Sequence, residues 1–162
     1  MSGIRARLSG YRPAVPDRLA AMARGGARGL VAAMAMSGVR SLTSNLDLLD
    51  APPPEQIVTR HAPERVQRLD EEHREALTEV VHWIYGAGGG LVFGLLPRPV
   101  RAHAAAGPVY GVLVWVAFEL SLAPLLDVQP GRRKVLGRVM LVIDHLLYGV
   151  VVGGLLAPEP AR

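Results

Sequence analysis

The amino-acid sequence predicts an all-α fold, a four-helix transmembrane bundle. Three observations carry this. Four intervals, at about residues 29–45, 80–96, 109–126 and 139–156, are long, apolar and almost free of charge. Each is followed by a helix breaker: "DAPPP" from Asp50, Pro97, "QPG" from Gln129, and Pro158. Proline suits such ends because it lacks an N–H and restricts the residue before it. Finally, a motif recurs: "HWIYGAGGG" from His82 returns as "HLLYGVVVGG" from His145.

The first interval, "GLVAAMAMSGVRSLTSN", is broken by Arg40 and several hydroxyls. The second, Val80 to Leu96, holds no acid, lysine or arginine. The third, Val109 to Leu126, contains Glu119, and the fourth, Val139 to Leu156, contains Asp144. A membrane-crossing helix needs roughly 20 apolar residues, with about 17–25 as the range. A soluble bundle would show a polar face every 3.6 residues, and "VVHWIYGAGGGLVFGLL" has none. Strands would alternate with period two, and these intervals do not.

The 162 residues suit one domain of ordinary size, with 50% hydrophobic residues and a mean hydropathy of +0.25. Cysteine is absent, which excludes a disulfide framework and thiolate metal sites. The net charge is +4, but the basic residues are nearly all arginine, with Lys134 alone as lysine. Arginine that dominant is as readily a mark of a GC-rich genome as of phosphate binding, so no nucleic-acid partner is expected. The expected partner is the lipid bilayer, with a second copy of the chain or another membrane protein left open.

Residues 1–27 read as a basic cytoplasmic arm, with a short interfacial helix around Arg18–Arg24 and attraction to anionic lipid. Residues 28–158 read as the membrane domain and 159–162 as a tail. Six arginines before the first span, Arg5 to Arg28, place the N-terminus in the cytoplasm. Nine acids against four arginines between Asp47 and Glu79 suit the outer side, and Arg98 and Arg101 put the next loop inside. Arg132, Arg133, Lys134 and Arg138 oppose this scheme by facing outward. Both termini are nevertheless expected in the cytoplasm. Within the outer loop, residues 63–79 predict an amphipathic surface helix, its stripe made by Val66, Leu69, His73, Leu77 and Val80.

The repeat aligns His82, Tyr85, Gly86 and Gly90 with His145, Tyr148, Gly149 and Gly153. "LLDAPP" from Leu48 and "LLDVQP" from Leu125 echo each other in the same order. Two helical hairpins related by a parallel repeat would explain both, with chance matching in a Leu- and Gly-rich chain as the alternative. Gly86, Gly90 and Gly94, and Gly149 with Gly153, are small-residue stripes suited to close helix packing. No strand precedes them and no Gly-Lys-Ser/Thr follows, which excludes a phosphate loop.

Polar residues inside spans are costly and pair within the bundle. Counting from the span ends at 1.5 Å per residue, Arg40, Glu119, Asp144 and His145 share a layer roughly 9–12 Å below the outer boundary, with His82 shallower. Ser37, Ser41 and Ser44 can face the same interior. Arg40 with Glu119 is the expected pair, with Asp144 a second partner or a residue that orients a histidine. The layer is read as a clasp setting helix register, or alternatively as a proton or ion path. No metal and no cofactor is expected: one histidine pair without a Cys-x-x-Cys-His motif falls short of a haem site, and no nucleophile elbow is present.

The glycine-rich first helix with Arg40, the prolines at Pro52–Pro54, His82, "SLAPLLDVQP" from Ser121 and the pair Asp144–His145 together resemble the YagU-like family of small bacterial inner-membrane proteins. The resemblance implies location and topology, and no reaction. A non-enzymatic structural or accessory membrane component is the function expected, with a proton- or ion-conducting element as the alternative.

Overall fold

A computed structural model describes residues 17–44, 57–58, 60–126 and 135–154, and every regular element among them is helical. Helix α1 runs Asp17–Ser44, α2 is the short Glu64–Gln67, α3 is Glu71–Leu95, and α4 is the single turn Arg98–Arg101. Helix α5 runs from Ala106 to Ala117, widens into a π-turn at Phe118–Leu122 and ends with Ala123–Leu125. Helix α6 is Val135–Val152. Residue 45, residues 155–156 of the fourth expected span, the tail 159–162 and the basic loop at 127–134 lie outside the described residues.

Two boundaries differ from the sequence reading. Helix α1 runs from Asp17, so the short helix expected around Arg18–Arg24 is not separate but continuous with the first apolar interval. Ala21, Gly25, Gly26, Gly29, Ala32, Ala33 and Ser37 are buried, so the small-residue face extends well upstream of Gly29 and continues the helix with it. The expected surface helix at 63–79 is not a separate element either. It breaks after Gln67, and Asp70 caps a new helix by accepting a hydrogen bond from the His73 backbone N–H at 3.0 Å. No breaker then stands between Glu79 and Val80, so the polar turns and the apolar run are one helix. Of the predicted stripe, His73, Leu69 and Val80 are exposed, and the buried residue of these turns is Thr78.

The helices assemble as two antiparallel hairpins. In the first, Gly25 meets Gly90 and Gly29 meets Gly86, backbone against backbone, while Gly94 lies on Ala21 and Met22. In the second, Gly107 lies on Gly149 and Gly153, and Gly111 on the His145 carbonyl. A methyl group at any of these glycines would collide with main-chain atoms of the facing helix. Gly86, Gly90, Gly94, Gly149 and Gly153 all lie in these contacts. Their partner stripes, Gly25/Gly29 and Gly107/Gly111, supply the other half of each contact.

The hairpins join through aromatic residues. Tyr148 Oη donates to the Gly86 carbonyl and Tyr110 Oη to the Gly89 carbonyl, each at 2.7 Å. The Phe93 and Tyr110 rings meet edge to face at 5.1 Å. Around them sits the core, Ala32, Phe93, Tyr148 and Val152, flanked by Met36, Tyr110 and Val151. Tyr85, which the repeat aligns with Tyr148, is instead half exposed. Helix α1 also runs against α6, with Arg28 over Gly154, whose φ of 74° ends the helix in the left-handed region open to glycine.

Large aliphatic side chains lie on the outside of this assembly. Leu30 and Val31 on α1, Ile84 and Val92 on α3, Leu113 on α5 and Leu147 on α6 are all exposed. Val152 is the one large side chain among the described residues that is fully buried. Ala106–Leu125 is long and apolar enough to cross a membrane, yet only 11% of it is buried.

Candidate functional site: a polar cluster at one end of the bundle

The small-residue stripe of α1 ends in Ser37, and one turn later comes Arg40. Helix α3 brings Glu79, His82 and Trp83 to the same level, because the Gly25–Gly90 and Gly29–Gly86 contacts fix the antiparallel register. Arg40 Nη2 donates to Glu79 Oε1 in an ion pair whose side chains are 15% and 30% exposed. Glu79 Oε2 is also bonded to the Ser37 hydroxyl.

Ser37 is the hub. Its Oγ lies 3.2 Å from Arg40 Nη2, 3.1 Å from Trp83 Nε1, 3.3 Å from His82 Nδ1 and 3.2 Å from the Ala33 carbonyl, as well as against Glu79. A hydroxyl has two acceptor lone pairs and one proton. Arg40 and Trp83 can only donate, so they fill the lone pairs, and the single O–H serves one acceptor at a time. With three acceptors in reach, Ser37 shares one proton among Glu79, His82 and Ala33.

The second hairpin contributes Asp144 and His145. Asp144 is 7% exposed and lies within electrostatic reach of Arg40, yet its Oδ1 accepts no hydrogen bond among the described residues. His145 Nδ1 is 2.8 Å from the Leu141 carbonyl, and because a carbonyl only accepts, that nitrogen carries the proton. His145 in turn lies within electrostatic reach of His82 and of Glu119. Glu119 stands on the π-turn of α5, a widening that re-aims side chains and is frequent at functional positions. One turn earlier, Trp115 Nε1 is buried and finds no acceptor among the described residues.

Arg40, His82, Asp144, His145 and Glu119 thus belong to one electrostatic cluster. The expected pairing changes, however: the ion pair of Arg40 is made with Glu79. The sequence reading counted Glu79 among outer-loop acids because it started the span at Val80. Once α3 starts at Glu71, Glu79 lies inside the helix, three residues before His82 and opposite Arg40. That i, i+3 spacing to His82 was the available signal. Ser37 was expected to face this interior, though not as its hub, whereas Trp83 and Trp115 carried no signal, since their roles follow from helix rotation. Among the described residues no group of three or more His, Asp or Glu side chains is arranged to hold a metal ion. Compared with family models, curated proteins and solved structures, the chain matches none.

Proposed function

We propose that the chain is a small multi-pass protein of a bacterial inner membrane, non-enzymatic, with four spans and both termini in the cytoplasm, acting as a structural or accessory component. One observation carries the reading: around Phe93, Tyr148 and Val152 the inside of the bundle is glycine, alanine and polar groups, and the outside carries large aliphatic side chains. A water-soluble bundle has the reverse distribution. In lipid there is no hydrophobic drive between helices, and close approach of small residues supplies packing instead. The YagU-like resemblance is part of the same proposal.

Charge placement supports the scheme. On α1 the uncharged stretch between Arg28 and Arg40 is about 17 Å at 1.5 Å per residue, against about 30 Å of hydrocarbon. A span of that kind requires Arg40 to be paired inside the bundle, as it is with Glu79, and the basic residues at the other end to snorkel. The clasp reading is favoured over conduction because the half of the bundle beyond Ser37 is closed by backbone contact at Gly86, Gly90, Gly107 and Gly149.

Cysteine labelling tests the topology, since the chain has no native cysteine. A cysteine at Glu64 should react with an impermeant maleimide in intact cells, and one at Arg98 only after permeabilisation. Reaction at Arg98 in intact cells overturns the orientation, and extraction of the protein by carbonate overturns membrane integration.

A further inference from the structure

Asp144 presents a problem that the clasp does not solve. Asp144 is buried, and its buried Oδ1 receives no donor among the described residues. An ionised carboxylate is an acceptor on every lone pair, and burying one without donors is costly. A carboxylic acid needs less, because it carries its own donor and no net charge. Arg40, whose charge acts on it, is bonded to Glu79 and Ser37. Arg40 is therefore bonded to one carboxyl group and within electrostatic reach of a second on the other hairpin.

We propose that Asp144 is a proton-binding site coupled to the Arg40–Glu79 pair. With the proton on Asp144, Arg40 belongs to Glu79, the arrangement observed. When the proton leaves to water at the Ser41 end of α1, the new carboxylate competes for the guanidinium and draws it from α3 toward α6. The groups around this exchange are Arg40 on α1, Glu79 and His82 on α3, Glu119 on α5 and His145 on α6. Ser37 donates to Glu79 and lies against His82, so Glu79 keeps a hydroxyl donor when the guanidinium leaves. The ligand is a proton, and its effect is to choose which hairpin holds Arg40. This goes beyond a purely structural clasp and does not depend on which side of the membrane the cluster faces.

Infrared difference spectroscopy tests it on the full chain in lipid vesicles, stepping from about pH 5.5 to about pH 9, where exposed aspartates of pKa about 3.9 are already ionised. A carboxylic-acid carbonyl band should be lost on raising the pH and should shift in protein labelled with ¹³C at the aspartate carboxyl. The band should be absent from Asp144→Asn. In Glu79→Gln, where Arg40 is left to Asp144, it should be lost at lower pH than in the native chain. No acid band, or one that the aspartate label does not move, overturns the proton site without use of any variant. A band that titrates identically in Glu79→Gln overturns the coupling. Neither result bears on membrane integration, which carbonate extraction reads separately.

Discussion

At the scale of single residues, the central contact is Arg40 with Glu79. Removing Arg40 leaves the Glu79 charge uncompensated in a low dielectric, removing Glu79 leaves Arg40 within reach of Asp144, and removing both need not be costly. Arg40→Leu should lower stability by about 3 kcal/mol and Glu79→Leu by less, and the double variant should recover part of the Arg40→Leu loss, read by thermal unfolding in detergent. Additive losses would show that the two are not coupled. A different carboxylate works at the water-exposed start of α3. Asp70 accepts from the His73 backbone N–H and, secondarily, its side chain, and these hold its carboxyl below the usual aspartate range. A depressed carboxyl contributes stability above its unfolded value and loses it as pH falls through the folded one. Acidification should therefore fray the first turn of α3, seen as faster amide exchange at Glu72 and His73. In Asp70→Ala the exchange should already be fast at neutral pH and change little with acid.

At the scale of elements, the hairpins are held by glycine faces, and position along the helix decides tolerance. A side chain at Gly90 or Gly149 would strike the facing backbone at Gly25 or Gly107, whereas at Gly88 it meets nothing within 4 Å. Gly90→Val should cost about 1–3 kcal/mol or more, while Gly88→Ala should be neutral or stabilise by up to about 1 kcal/mol through helix propensity. Thermal unfolding of the two variants side by side checks the contrast, and equal losses would contradict the packing scheme. The five glycines on α3 and α6 were legible because they repeat at four-residue spacing in an apolar run. Their partners on α1 were not, because Arg24 and Arg28 interrupt that stretch and mask its small-residue face. The start of α3 was missed for a related reason. Hydropathy changes sharply at Val80, but a helix does not end where polarity changes. It ends where hydrogen bonding does, and the sequence mark of that end was the cap at Asp70.

At the scale of the whole molecule, two zipped hairpins meet through Tyr110, Tyr148 and Phe93 and leave their aliphatic faces outward. The all-helical architecture was readable from four apolar intervals. Which charges pair was not, because position along each helix was measurable from sequence but rotation about each axis was not. Glu119 and Arg40 were matched by depth, yet rotation puts Glu79 against the arginine. Four-span insertion requires all four long helices to face lipid, and among the described residues Ala106–Leu125 is the one helix long and apolar enough to cross by itself. Spin labels at Leu30, Ile84, Leu113 and Leu147, one exposed site per helix, test this most directly in reconstituted vesicles. Four spans predict that every label relaxes faster with oxygen, which concentrates in lipid, than with a water-soluble nickel complex. Lipid exposure at Leu113 alone, with the other three labels in water, would contradict the four-span bundle.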